Sequence, residues 1–250
     1  MKGAIPKTAR FLVALALLPF LWAEFAAIPV LAPGSFAPDF PFVSSDILFL
    51  FGGMALWFVV AWRFRVNPWF YVLGHELTHA AWALLTFSKV GRISVTSRGG
   101  YCTIDKPGVF TTLAPYFVPF YLALLLILRA ILSIWFDMAP YGGWWMGAFG
   151  FAYGFHVTNT IDSIVGVDQP DIREYGRVFS CVLIAVANML FLLLGFAAAA
   201  GTPFADVFGA LADAVLASYL WVWREAVWVW REAAAAISRF RPVAFSAANW

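Results

Sequence analysis

Two histidines and a glutamate interrupt one of the most apolar stretches of the chain. The segment "PWFYVLGHELTHAAWALLTF" holds His75, Glu76 and His79. On a helix, residues four apart lie above one another on one face, so both imidazoles can reach one metal ion. Glu76 projects from the neighbouring position, where its carboxylate can accept a proton from a water that the metal activates. This HExxH spacing predicts the metal ligands and the general base of a zinc hydrolase, with Zn2+ as cofactor.

A catalytic zinc site needs a third protein ligand and one open position for water. The third histidine of the chain, His156, lies in another apolar segment. Counting about 1.5 Å per residue from the polar ends of the two segments gives it the same depth as His75 and His79. His156 is therefore the predicted third ligand, with Asp162 and Asp171 as alternatives. The competing interpretation is a core histidine bonded to a helix carbonyl.

Two further polar residues are predicted to support the ligands. Glu24 lies within the first apolar segment and Asn159 lies three residues after His156. A charged side chain in hydrocarbon costs at least roughly 2.5–3.5 kcal/mol, so such residues usually serve function or pair with one another. Glu24 is expected to orient a ligand histidine; a protonated or otherwise paired carboxyl is the alternative.

The elements that must position these residues are apolar helices. The chain is 63% hydrophobic and 12% charged, with a mean hydropathy of +0.82, whereas a soluble domain carries roughly 25% charged residues. This composition predicts an integral, multi-pass membrane protein. The net charge of +2 says nothing about nucleic acid, but no Lys/Arg cluster resembles a phosphate-binding patch, so no nucleic-acid partner is expected. The two cysteines, Cys102 and Cys181, make no disulfide framework.

The fold class predicted is an all-α polytopic membrane protein with about six transmembrane helices. Asn67 and Pro68 form a start signal for the HExxH helix, and two prolines, Pro115 and Pro119, should kink the fourth span. Between spans three and four, the alternating "RISVTS" and "YCTID" around Gly-Gly predict a β-hairpin. The six spans are about 11–32, 47–62, 68–87, 109–136, 143–165 and 177–200.

Three regions are predicted along the chain: a two-span segment over 1–66, a metalloprotease-like core over 67–200, and a Trp-rich C-terminal helix over 201–250. The tail repeats "WVWREAV" as "WVWREAA" and carries a narrow polar stripe. Such a helix is typical of one at the membrane interface or against a partner helix, so it offers a route to an oligomer. A seventh span is the alternative.

Residues 68–180 resemble the site-2 protease family of intramembrane zinc metalloproteases. The likeness rests on "GHELTHA" in an apolar helix, the hairpin ending in Gly-Gly-Tyr, and "LAPYFVPFY". It implies that His75 and His79 bind zinc and that Glu76 is the general base. It also implies an aspartate as third ligand, from an "NPxxLDG"-type motif. Here "NTIDSIVG" and "VDQPDI" stand instead, and they keep only the Asn159 and Asp162 spacing.

The predicted function is a zinc-dependent endopeptidase that cuts a peptide bond in or next to a membrane-spanning protein or peptide substrate. Two alternatives stay open: an inactive metal-binding scaffold in the bilayer, and a metal-dependent membrane hydrolase of a non-peptide substrate. The predicted location is the bacterial inner membrane. The hairpin is expected to pair its edge with an unwound substrate segment.

Overall fold

The structure is a computed structural model, and it describes residues 6–31, 45–64, 67–166, 169–200 and 202–239. It is mostly helical with one small sheet, as predicted. The loop predicted between the first two spans lies mainly outside the described residues. The elements are α1 (Lys7–Leu31), α2 (Ser45–Arg63), α3 (Pro68–Leu85), β1 (Val90–Thr96), β2 (Gly99–Ile104), α4 (Val109–Phe117), α5 (Phe120–Leu132), α6 (Gly142–Gly166), α7 (Pro170–Tyr175), α8 (Arg177–Ala200) and α9 (Phe204–Arg239).

Within the described residues, four helices are long and apolar enough to cross a membrane: α1, α2, α8 and α9. The pair α4 and α5 makes a fifth if it counts as one bent span. These lengths and compositions indicate a membrane protein. The six predicted spans are not confirmed, because α3 and α6 are helices without the required hydropathy and the C-terminal α9 has it. The polar residues predicted to form or support the metal site on α3 and α6 also lower the mean hydropathy of these two helices.

Local signals explain where the central helices begin and bend. The side chain of Asn67 accepts a hydrogen bond from the Trp69 N–H at 3.0 Å, and Pro68 occupies the first turn of α3, as predicted. The predicted break in the fourth span lies before Pro119, where α4 and α5 meet at 78°. The bend turns α4 toward α3 while α5 continues along α6.

Helices α2 and α6 touch along their backbones. A Cβ atom added at Gly53 would lie 1.9 Å from the Gly147 carbonyl oxygen, and one at Gly150 would lie 1.8 Å from the Leu50 carbonyl oxygen. Only glycine permits this approach, which fixes the position of α6. Because α6 carries His156 and Ser163, the glycines matter for the polar interior as well.

Helix α9 packs along α1 in the opposite direction. Val207 and Leu211 pack against Ala27 near the end of α1, and the Tyr219 hydroxyl donates to the Ala16 carbonyl nearer its start. The first half of α9 therefore lies against a candidate span, and α9 is itself long and apolar enough to be one. From Trp221 onward α9 is almost entirely exposed.

The predicted β-hairpin is confirmed. Strands β1 and β2 pair antiparallel with Thr96 opposite Gly99 and Ile93 opposite Cys102, and they form the two-stranded sheet of the described residues. The hairpin packs on α3, so β2 lies beside the HExxH residues.

Candidate metal centre

Three side chains converge where α3 meets α7. The Nε2 atoms of His75 and His79 lie 3.5 Å and 3.4 Å from the same Oδ2 of Asp171. Their ligand atoms all lie within 4.8 Å of one another. Among the described residues this is the group of histidine, cysteine and carboxylate side chains suited to hold a metal ion.

The second nitrogen of each imidazole already has a partner. The Nδ1 of His79 donates to the Thr111 carbonyl oxygen at 2.9 Å. The Nδ1 of His75 lies 3.4 Å from the Tyr71 hydroxyl, which also bonds the Ser163 hydroxyl at 2.7 Å. Partners of this kind fix the ring orientation of metal-binding histidines and leave Nε2 as the free ligand atom. Both Nε2 atoms accordingly face Asp171.

Asp171 comes from α7, a short helix in the connector that follows α6. Pro170 starts this helix after Gln169, and the Tyr116 hydroxyl donates to the Asp171 Oδ2 at 3.3 Å. Burial alone would raise the pKa of Asp171, but the hydrogen bonds with His75 and His79 hold it well below its usual range. Asp171 is therefore a carboxylate, the form that ligates a cation.

Glu76 is buried beside this group and faces the hairpin. A Cβ atom added at Gly100 of β2 would lie 2.8 Å from the Glu76 Cγ, so glycine is what lets β2 approach the carboxylate. Cys102 lies on the same strand, and burial together with the Glu76 charge raises the pKa of its thiol. Cys102 is thus a neutral thiol at the edge of the site.

A cavity of about 510 Å³ opens in front of these residues. Its walls are α3, β2 and α7, and its lining includes His75, Glu76, His79 and Asp171. The site therefore has space for a peptide segment on the hairpin side of the helices.

The donor set fits zinc. Imidazole nitrogen and carboxylate oxygen bind Zn2+ at about 2.0–2.2 Å, which in a tetrahedron separates two ligand atoms by about 3.3–3.6 Å. The two distances from Asp171 to the histidine nitrogens match this separation. Two histidines and one carboxylate also leave the fourth position open, as catalytic zinc sites do. His75, His79 and Asp171 are the residues that would hold the ion.

The other predicted site residues lie elsewhere. His156, the first choice for the third ligand, is not part of the group; its Nε2 is buried without a hydrogen-bond partner in the described structure. Asp162 is exposed, and Asn159 donates to the Phe155 carbonyl of its own helix at 2.7 Å. Glu24 has no hydrogen bond to a described residue, so it orients neither histidine.

Sequence reasoning missed two residues of the site. Tyr71 lies four residues before His75, a spacing that predicts contact on one helix face. Tyr116 carried no such signal, because its contact with Asp171 depends on how α4 packs against α7. Comparison of the chain with protein-family models, curated proteins and solved structures finds no match.

Proposed function

We propose that the chain is a zinc-dependent endopeptidase that hydrolyses a peptide bond in or next to a membrane. The observation that carries the proposal is the meeting of His75, His79 and Asp171 beside a buried glutamate. The resemblance of "GHELTHA" to the site-2 protease family supports the same reaction. Asp171 takes the position of third ligand that His156 held in the sequence-based prediction.

The chemistry divides between the metal and Glu76. Zinc held by these residues would supply Lewis-acid chemistry, which polarises the scissile carbonyl and makes water more acidic. Glu76 accepts the proton of the attacking water as the new C–O bond forms. The same carboxyl then delivers that proton to the leaving nitrogen when the C–N bond breaks, so the glutamate ends the cycle unchanged.

Strand β2 is suited to align the substrate. It pairs with β1 on one side and has no other strand beside it among the described residues, while Gly100 and Cys102 line the cavity. An extended substrate segment can hydrogen-bond to such a free strand edge. That arrangement holds an extended peptide bond next to Glu76. The extended form is needed because a helical peptide bond is shielded by its own hydrogen bonding.

An apolar groove of about 1,000 Å³ supports a substrate within the membrane. It lies between α2, α5 and α6, and its lining includes Tyr121 and Phe155. The same two residues line a small cavity against His75, so the groove and the site share a wall. The almost entirely apolar lining of the groove suits the apolar side chains of a membrane-spanning substrate segment.

The test compares wild type with Glu76→Gln in purified protein, using β-casein and a detergent-solubilised membrane peptide as substrates. We expect one zinc per chain in both proteins and a loss of cleavage by about 10²- to 10⁴-fold in Glu76→Gln. Metal content is measured by mass spectrometry and cleavage by gel. Glu225→Gln, which changes an exposed glutamate of α9, is the matched control and should cleave as wild type does.

Two results would overturn the proposal. Equal cleavage by wild type and Glu76→Gln would mean that the activity does not arise at this site. Zinc binding by wild type without cleavage of either substrate would instead favour the metal-binding scaffold.

A further inference from the structure

The ends of the helices gather in two sets, at opposite ends of the bundle. Helix α2 runs parallel to α6, since Gly53 lies against Gly147 and the Trp57 indole N–H donates to the Thr158 hydroxyl at 2.8 Å. The last turn of α2 therefore lies level with the last turn of α6.

The starts of α1 and α8, the hairpin and α7 lie at this same end. Arg177, at the start of α8, donates to the Ile164 carbonyl oxygen in the last turn of α6 at 2.8 Å. Near the start of α1, the Arg10 side chain donates to the Glu174 carbonyl oxygen of α7 at 2.9 Å. Strand β2 and α7 line one cavity. We call this the hairpin end of the bundle.

All but one of the described lysines and arginines lie at the hairpin end. They occupy the first turn of α1, the last turn of α2, the hairpin with its flanks, α7, the first turn of α8 and the second half of α9. Helix α9 brings its arginines there because it runs antiparallel to α1, with Tyr219 already level with Ala16. The exception is Arg129, near the end of α5, a helix whose Leu125 already packs near the starts of α2 and α6.

The opposite end carries carboxylates and aromatic rings among its described residues. Asp46 and Asp206 occupy the first turns of α2 and α9, and Asp137 follows α5. Trp135 and Trp144 are exposed there. Tryptophan is enriched at membrane–water interfaces, and the loops on the cytoplasmic side of a membrane carry an excess of lysine and arginine. This distribution of charge orients the hairpin end toward the cytoplasm.

Helix α3 begins and ends at the hairpin end. Near its start, the Tyr71 hydroxyl bonds the Ser163 hydroxyl in the last turn of α6 at 2.7 Å. Just after its end, the Ser88 hydroxyl donates to the Lys106 carbonyl oxygen beyond the hairpin at 3.2 Å. The hydropathy of α3 also falls short of that of a membrane span. Its 18 residues thus lie across the bundle near that end.

We propose that the metal centre opens to the cytoplasm and that α3, which carries the HExxH residues, lies in the cytoplasmic leaflet without crossing the membrane. The chain then crosses along α1, α2, the bent pair α4 and α5, α6, α8 and α9, in alternating directions. Helix α6 is included because it lies along α2, itself a candidate span. The first and last described residues are both on the cytoplasmic side.

This placement lowers the cost of the ionisable residues on α3. A charged side chain is most costly at the centre of the bilayer, and the cost falls where water and headgroups reach it. One consequence rests on the proposed function: the substrate is cut at the cytoplasmic surface of the membrane, and the released fragment enters the cytoplasm. The orientation itself depends on neither zinc nor cleavage.

The experiment places single cysteines in a chain that carries Cys102→Ser and Cys181→Ser and is produced in bacterial cells. The reporters are exposed residues before α3, in the hairpin turn, near the end of α9 and at the opposite end of the bundle: Phe64→Cys, Ser97→Cys, Ser238→Cys and Asp137→Cys. A membrane-impermeant maleimide carrying polyethylene glycol is added to spheroplasts, to inverted vesicles and to detergent extracts. The labelled fraction is read as a shift on a gel.

We expect Phe64→Cys, Ser97→Cys and Ser238→Cys to be labelled in inverted vesicles and protected in spheroplasts. Asp137→Cys should show the reverse pattern. Detergent extracts, in which all four thiols should react, are the control for reactivity. Adding Glu76→Gln to each chain should leave every pattern unchanged, so a failure of the peptidase proposal does not alter this result.

Two outcomes would overturn the proposal. Labelling of Phe64→Cys and Ser97→Cys from opposite sides would mean that α3 crosses the membrane. Labelling of Ser97→Cys in spheroplasts would place the opening of the metal centre outside the cytoplasm. Should Phe64→Cys fail to accumulate, Arg63→Cys reports on the same connection between α2 and α3.

Discussion

The two polar groups buried in this apolar chain differ in how their atoms are satisfied. At the metal centre the Nδ1 of His75 lies against a hydroxyl and the Nδ1 of His79 against a carbonyl oxygen. The Asp171 carboxylate lies next to the Nε2 of both histidines. In a second group, made of Glu24, Asn188 and His156, the Asn188 amide donates to two carbonyl oxygens, but the Asn188 Oδ1, both Glu24 oxygens and the His156 Nε2 have no partner among the described residues. The first arrangement points three metal-ligand atoms at one position, as a bound metal ion requires. The second leaves four buried polar atoms without a hydrogen-bond partner among the described residues.

Tyr116 joins the two groups. Its hydroxyl donates to Asp171, while its carbonyl oxygen accepts from Asn188. That carbonyl is free because α4 ends at Phe117 and the chain breaks at Pro119, so no helical N–H reaches it. The break before Pro119 thus leaves the Tyr116 carbonyl oxygen as an acceptor for Asn188. Through its hydroxyl and its carbonyl, Tyr116 connects Asp171 of the metal centre to Asn188.

The largest effect is expected when Asp171 loses its charge. Asp171→Asn keeps the size of the side chain but loses the charge that faces both histidines. We expect zinc content to fall from one per chain to near zero, and cleavage to disappear with it. Asp162→Asn is the control, because this aspartate is exposed and should keep the metal. Full zinc occupancy in Asp171→Asn would exclude Asp171 as a ligand.

A change on α2 should disturb both groups together. Gly53→Ala forces a Cβ atom into the Gly147 carbonyl and pushes α6 away, at a cost of about 1–3 kcal/mol or more. The adjacent Gly52→Ala has nothing within 4 Å and should change the free energy of unfolding by no more than about 0.5 kcal/mol. Thermal unfolding in detergent measures both. Equal stability of the two variants would contradict the backbone contact between α2 and α6.

A smaller effect on zinc affinity is expected when the metal centre loses the hydroxyl of Tyr71. Tyr71→Phe removes the hydroxyl beside the Nδ1 of His75, and such losses weaken metal affinity by about 10- to 100-fold. Zinc affinity is measured by competition with a chelator. Tyr219→Phe makes the same chemical change at a hydroxyl that donates to the Ala16 carbonyl, so its zinc affinity should equal that of wild type. Identical affinities in both variants would mean that Tyr71 does not orient His75.

The sequence predicted the helices, the hairpin and the start of α3 because these depend on local signals: apolar runs, alternating strands around a Gly-Gly, and Asn67 before Pro68. The turn itself falls at residues 97 and 98, and both glycines belong to β2. It also predicted that His75, Glu76 and His79 share a face, since helical spacing alone decides that. It put His156 ahead of Asp171 because counting residues gives depth and says nothing of rotation about the helix axis. The fold of α7 back over α3 is a tertiary contact that no spacing encodes.

The smallest expected effect is the most informative about His156. His156→Gln keeps a polar side chain at that position, and because His156 is outside the metal-ligand group we expect full zinc occupancy and wild-type cleavage. The contrast is with Asp171→Asn, measured in the same preparation by the same metal analysis. Loss of zinc from His156→Gln with a wild-type melting temperature would make the histidine a ligand after all. The two polar groups would then be parts of one site, and the difference between a satisfied and an unsatisfied group would no longer separate them.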